Sequence, residues 1–81
     1  MKRNSIIKKL GHFQSVTDKD GHLCFYSRQK TEGIQDRIVK LFVQDGHCIA
    51  LPIFQNRESG EETVVFHAKT IKSLVVFLEN K

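Results

Sequence analysis

Histidine, cysteine and aspartate recur in two short strings of the sequence, DGHLC at residues 20–24 and DGHC at residues 45–48. Two cysteines and two histidines form a ligand set that zinc accepts. The spacing of His22, Cys24, His47 and Cys48 matches no zinc finger or knuckle. Adjacent residues of a strand also point to opposite faces, so His47 and Cys48 cannot easily share one ion. We therefore predict no metal and no cofactor.

Hydrolysis by a protein nucleophile has little support in this sequence. The chain has no nucleophile elbow, no paired carboxylates in an apolar setting and no glycine-rich phosphate loop. A small protein can still cleave RNA with one histidine, because the 2′-hydroxyl attacks and the protein only moves protons. His22, at the start of a predicted strand, is the candidate general base for this alternative. The simpler interpretation is a solvated histidine in a turn, so we expect a binding protein before an enzyme.

The composition is that of one small globular domain spanning residues 1–81. Thirteen Lys and Arg against nine Asp and Glu give a net charge of +4, with 40% hydrophobic residues. An excess of this size suits an ordinary soluble surface, and it also favours contact with phosphates. Two cysteines make no disulfide framework, and residues 1–10 have no signal-peptide core. These features predict a cytoplasmic protein with reduced thiols and no membrane partner.

The elements that would position these residues centre on residues 36–54. This stretch consists of two apolar runs joined at Asp45-Gly46, and an Asp-Gly pair between apolar runs is a strong hairpin signal. A two-residue loop would place Phe42 opposite Ile49 and leave both faces apolar. A three-residue loop, with Gly46 left-handed, pairs Leu41 with Ile49. One face then holds Val39, Leu41, Val43, Ile49, Leu51 and Ile53, and the other holds Ile38, Lys40, Phe42, Cys48, Ala50 and Phe54. This cleaner division of faces predicts the three-residue loop.

The flanking segments predict an α+β fold, an antiparallel sheet of four or five strands packed against a C-terminal helix. Residues 1–12 predict a short helix or a basic arm that ends near Gly11. Residues 13–28 predict a second hairpin whose polar first strand lies at a sheet edge, with Val16 opposite Cys24 or Phe25. Pro52 predicts a sheet edge or a bulge. Residues 62–67 predict a fifth strand, and Ile71, Leu74, Val75 and Leu78 recur with helical spacing after a capping Thr70.

The functional prediction is a non-enzymatic nucleic-acid-binding module. Aromatic and cationic side chains on the outer sheet face, with Tyr26, Lys40, Phe42, Cys48 and Phe54 placed there, would stack bases and hold phosphates. The predicted binding residues are Lys2, Arg3, Lys8, Lys9, Tyr26, Arg28, Lys40 and Phe42. Alternatively, the N-terminal helix or a second subunit covers this face. A protein-binding or homodimeric regulator or inhibitor from a phage or mobile element is then the second function.

The order of elements is similar to two known groups of proteins. An N-terminal helix, a hairpin with Gly21-His22, a further strand and a C-terminal helix resemble the double-stranded-RNA-binding-type fold of HicA-type mRNA-cutting toxins. The stretch KTIKSL at residues 69–74 is similar to the opening of their last helix. This resemblance implies a ribonuclease that uses His22. Four strands followed by one helix are also similar to single-strand DNA binders of the transcription-coactivator and Whirly kind.

Overall fold

A computed structural model describes residues 2–27, 35–44, 46–56 and 58–80 of the chain. The described residues contain two helices, α1 (Arg3–Leu10) and α2 (Ile71–Glu79). They also contain five strands: β1 (Ser15–Thr17), β2 (Leu23–Tyr26), β3 (Gln35–Gln44), β4 (His47–Asn56) and β5 (Glu62–Val64). The strands form one antiparallel sheet in chain order, β1-β2-β3-β4-β5. This α+β arrangement confirms the predicted fold class, including the short N-terminal helix.

Both helices follow from the periodicity of their apolar residues. In α1, Ile6 and Leu10 are fully buried four residues apart, which places them on one helical face. In α2, Leu74 and Leu78 repeat the same spacing and are also buried. Thr70 caps α2 as predicted, because its hydroxyl accepts a hydrogen bond from the Ser73 N–H at 3.2 Å. Helices of eight and nine residues are marginal alone, so packing against the sheet holds them.

The central hairpin corrects the predicted register. Gln44 lies opposite His47, Phe42 opposite Ile49 and Leu41 opposite Ala50, so the loop between β3 and β4 contains two residues. The predicted three-residue loop is wrong, and every side chain of β4 lies on the face opposite to its predicted one. Gly46 does adopt the predicted left-handed conformation, with φ of 76°. The prediction failed because it assumed that only one face of this hairpin is buried.

Both faces of the sheet in fact carry buried side chains. The helix-covered face packs against α1 and α2 through Phe25, Val39, Leu41, Cys48 and Ala50. The opposite face, which we call the concave face, carries Cys24, Tyr26, Ile38, Lys40, Phe42, Ile49, Leu51 and Ile53. Cys24, Ile38 and Ile53 on that face are at most 3% exposed. Cys48 and Phe54, predicted for the outer face, instead contribute to the core under the helices.

The short outer strands agree with most of the predictions made for them. β1 is an exposed edge strand, and Val16 lies opposite Cys24, which resolves the open register. β5 ends at Val64, three residues before the predicted end. Pro52 is in β4, which is not an edge strand, but its carbonyl accepts from the Val65 N–H at 3.3 Å. The nitrogen and the carbonyl of a strand residue face the same side, so the nitrogen of Pro52 faces the chain just after the end of β5. The N–H that proline lacks is therefore not needed for pairing within β5.

The two buried faces of β3 can be tested with single charges. Ile38 is fully buried on the concave face and Leu41 is 5% exposed on the helix-covered face, whereas Val43 is 67% exposed. Ile38→Asp and Leu41→Asp should each lower the free energy of unfolding by more than about 4 kcal/mol, because each buries an unpaired charge. Val43→Asp is the control and should change it by less than about 1 kcal/mol. Urea unfolding measures all three, and a mild effect of Ile38→Asp would contradict a buried concave face.

Candidate functional site

Lys40 is the most buried charged residue described, and two carboxylates surround its ammonium group. It is 7% exposed at the middle of β3. Its Nζ lies 3.2 Å from Asp18 Oδ2 and also contacts Glu62 Oε1. Asp18 precedes the turn between β1 and β2, whereas Glu62 begins β5 at the other side of the sheet. Because neighbouring strands are about 4.8 Å apart, one ammonium group reaches both carboxylates only if the sheet curves around it.

Asp18 also holds the β1–β2 turn together. Its Oδ1 accepts hydrogen bonds from the backbone N–H groups of Asp20 at 3.0 Å and His22 at 2.9 Å. Its Oδ2 meets Lys40 and accepts a weak bond from the Cys24 thiol at 3.8 Å. An aspartate that bonds the backbone two residues later is typical of such turns. Both oxygens of this carboxylate are therefore already used inside the chain.

The pKa values of this cluster follow from burial and its ion pairs. Burial alone would raise the pKa of Asp18, but hydrogen bonds from His22, Lys40 and Asp20 outweigh it and lower that pKa to about 2. Burial alone would lower the pKa of Lys40, but Glu62 and Asp18 outweigh it and raise that pKa. Lys40 therefore stays charged and stays paired at neutral pH. Burial also raises the pKa of the Cys24 thiol, with the charge of Asp18 adding to it.

His22 and Phe42 form an aromatic pair beside this cluster, at the end of the sheet where the β1–β2 and β3–β4 turns lie. Their ring centroids are 4.3 Å apart, and His22 Nδ1 lies 3.5 Å from Asp18 Oδ2. A shallow cleft at this end is lined by Arg3, His22, Leu23 and Val43, among others. The cleft brings the N-terminus of α1 next to the candidate histidine. The role of His22 as a general base stays a prediction.

The four predicted cations of the N-terminus are all exposed on one segment of the chain. We call this group the basic surface, and it consists of Lys2, Arg3, Lys8 and Lys9. The segment from residue 2 to residue 11 contains no acidic residue. Ile6 and Leu10 anchor it in the core, so these cations project from a fixed helix rather than from a free arm.

The structure does not bring the other predicted binding residues to this surface. Lys40 is enclosed by carboxylates, which overturns its predicted position on an open face. Tyr26 and Phe42 share the concave face and are half-buried. Their positions along the sheet differ by four residues of β3, or about 13 Å at ~3.3 Å per residue. Arg28 lies outside the described residues.

The two cysteines lie on opposite faces of the sheet. Cys24 lies opposite Lys40 in the β2–β3 register, on the concave face. Cys48 packs in the core under the helices. A zinc ion therefore cannot take ligands from both thiols. Asp18, Asp20 and His22 lie within reach of one another, but the carboxylate of Asp18 is already engaged by Lys40 and by backbone N–H groups.

Sequence reasoning missed Asp18 and Glu62 as the partners of Lys40. A signal for a buried lysine was present, because Lys40 interrupts the apolar run IVKLFV at residues 38–43. A lysine in such a strand needs a carboxylate partner once both faces are buried. Which carboxylate meets it depends on the curvature of the sheet, which no local pattern encodes.

Comparisons with protein-family models, with curated proteins and with solved structures found no match to this chain. Among the described residues, neither helix has the length and apolar character that crossing a bilayer requires. A function for this chain therefore has to be inferred from the chemistry of the surfaces described above.

The ion pairs of Asp18 predict a specific loss of stability in acid. The pKa of this group falls from its ordinary value of 3.8 to about 2 on folding. The unfolded chain takes up the proton first as the pH falls, so the stabilisation is complete above pH 3.8 and disappears toward pH 2. Wild type should exceed Asp18→Asn in free energy of unfolding near neutral pH, and the difference should shrink across that window. Urea unfolding at each pH measures it, and a difference that stays constant down to about pH 2 would contradict the ion pairs.

Proposed function

We propose that this protein is a non-enzymatic binder of single-stranded nucleic acid that holds phosphates on the basic surface of α1. The observation that carries the proposal is the group of four exposed cations on one anchored segment, residues 2–11, whose sequence contains no acidic residue. Lysine and arginine side chains of this kind neutralise phosphates and release counterions. The net charge of +4 favours the same partner.

Single strands suit the described surface better than a duplex. His22, whose ring pairs with that of Phe42, lines a cleft together with Arg3 and offers an aromatic ring that an unstacked base can contact. In a duplex the bases are stacked on each other and their faces are inaccessible. The paired state of Lys40 removes the sheet centre from phosphate binding, so the phosphates belong on α1.

Charge reversal on α1 tests this proposal. A fluorescently labelled oligothymidine should bind with an affinity that falls steeply with salt, with a slope of about −0.7 per phosphate contact. Arg3→Glu and Lys9→Glu should each weaken binding and reduce the magnitude of that slope by at least about 0.7, because each removes a phosphate contact.

Lys72→Glu is the matched control for these variants, since it makes the same charge change at an exposed position of α2. It should change the affinity by less than about twofold, because it leaves the phosphate contacts in place. Equal weakening by all three substitutions would show that only net charge matters. Absence of binding at low salt would reject the proposal.

A protein partner or a second copy of the chain is the alternative function, and one specific observation favours it. Three consecutive apolar residues at and after the end of β5 are exposed: Val64 by 51%, Val65 by 41% and Phe66 by 41%. Contiguous exposed apolar residues next to a short sheet edge are typical of protein contacts.

Light scattering after size-exclusion chromatography tests the homodimer. If β5 forms its interface, the wild type should elute as a dimer and Val64→Lys should elute as a monomer, because a charge would be buried in the contact. Val43→Lys is the control at another exposed apolar position, near the β3–β4 turn, and it should leave the dimer intact. A monomeric wild type would remove the homodimer and leave only a different protein partner.

A further inference from the structure

The cleft between the start of α1 and the turns at one end of the sheet combines two side chains that bind anions. Arg3 of α1 and His22, which follows the β1–β2 turn, both line it, and Leu41 and Cys48 line it from β3 and β4. We call it the Arg3–His22 cleft. Its volume of about 250 Å³ lies below the range of about 300–1,000 Å³ that is usual for whole small-molecule ligands. The cleft therefore suits one charged group of a larger ligand.

Arg3 brings an unpaired cation to this cleft. Its guanidinium group makes no ion pair and no hydrogen bond within the described part of the chain. Leu41 and Cys48 are 5% and 6% exposed and form an apolar floor, next to which water screens an ion pair less. Burial raises the pKa of the Cys48 thiol and the charge of Arg3 acts against this rise, so that charge lies near the floor. A guanidinium group in this position favours a ligand with two oxygens side by side, as in a phosphate.

His22 brings one ring nitrogen without a partner. Its ring packs against Phe42 with centroids 4.3 Å apart, and its Nδ1 lies 3.5 Å from Asp18 Oδ2. A carboxylate beside Nδ1 favours a proton on that nitrogen, so Nε2 carries the lone pair of the neutral ring. Nε2 has no partner among the residues that the structure describes. It therefore suits a ligand that brings a proton of its own.

We propose that the Arg3–His22 cleft binds the terminal phosphate of a nucleic-acid strand, with Arg3 holding two phosphate oxygens and His22 Nε2 sharing the last phosphate proton. A phosphomonoester has three unesterified oxygens and a second pKa of about 6. Near neutral pH it supplies both the charge that pairs with Arg3 and the proton that bonds to Nε2. An internal phosphodiester has one charge and no such proton, so it presents only acceptors to the Nε2 lone pair. The cleft therefore distinguishes the end of a strand from its interior.

The position of the cleft on the basic surface fits a strand end. Arg3 is the first residue of α1, and Lys8 and Lys9 lie about 8–9 Å farther along the helix axis at ~1.5 Å per residue. These two cations are available to the phosphates that follow the terminal one. The edge of the His22 ring binds the phosphate in this arrangement, and a ring face meets the terminal base. The inference in this form rests on the proposed function, because the same strand occupies both sites.

Three heptathymidines labelled on an internal base test the inference: one with a 5′-phosphate, one with a 3′-phosphate and one with hydroxyl groups at both ends. The wild type should bind at least one phosphorylated strand about tenfold more tightly than the unphosphorylated one, as expected for one or two charge-assisted hydrogen bonds. Arg3→Gln should reduce this preference to less than about twofold, because it removes the bidentate contact. Equal affinity of the wild type for all three strands would overturn the inference and leave the proposed function intact.

Lys9→Gln is the matched control, because it removes the same charge from α1 at a position outside the cleft. It should weaken the binding of all three strands and keep the preference for the terminal phosphate. Equal loss of the preference in Arg3→Gln and Lys9→Gln would show that only net charge matters and would overturn the inference. His22→Phe keeps a ring beside Phe42 without the nitrogen and should lower the preference about threefold. An unchanged preference in His22→Phe would overturn the role of Nε2.

A second measurement applies if no heptamer binds at low salt. Thymidine 5′-monophosphate, thymidine 3′-monophosphate and thymidine are then each titrated into the ¹⁵N-labelled protein. Shifts of the Arg3 and His22 backbone amides with a monophosphate alone would retain the cleft as a phosphate site and reject the proposed function. No shift, or equal shifts with thymidine, would overturn the cleft as a phosphate site.

Discussion

The ammonium group of Lys40, held between Asp18 and Glu62, links the β1–β2 turn to β5 across the middle of the sheet. These carboxylates come from opposite sides of β3, and both reach the same Nζ atom. Burying a charge is costly unless it is paired, and both carboxylates pair with this buried ammonium group. Cys24, Ile38 and Ile53 are buried on the same face of the sheet, which no described helix covers. Buried apolar side chains therefore lie on both faces of the one sheet that the described residues form.

The same ion pairs limit which cations can contact the proposed nucleic acid. A lysine neutralised by two carboxylates has no charge to offer a phosphate, so the centre of the sheet is a structural region. The cations that remain free of such pairing in the described residues include those of α1, which project from a helix anchored by Ile6 and Leu10. The chain therefore separates a buried, paired lysine at the centre of the sheet from exposed cations on the N-terminal segment.

Elements with strong local signals were predictable from the sequence. Which residues of β3 and β4 share a face of the sheet was not predictable in the same way. The Ile71–Leu78 periodicity and the Thr70 cap predicted α2, and the polar first strand predicted the β1 edge. The register of the β3–β4 hairpin failed because a pattern of alternating residues indicates a single buried face, and here both faces are buried. The four cations of the N-terminal segment were named from the sequence and are exposed, and their role in binding stays a prediction. Lys40 was misplaced because its environment depends on Asp18 and Glu62, which are distant in sequence.

The central claim is that Lys40 serves the fold and that α1 meets the nucleic acid. An NMR titration of the ¹⁵N-labelled protein with a short single strand at low salt tests it most directly, because each backbone amide reports its own surroundings. The account predicts shifts at the backbone amides of Arg3, Lys8 and Lys9 on α1 and little change at Lys40. Shifts confined to residues 64–66, or shifts centred on Lys40 with none on α1, would contradict it.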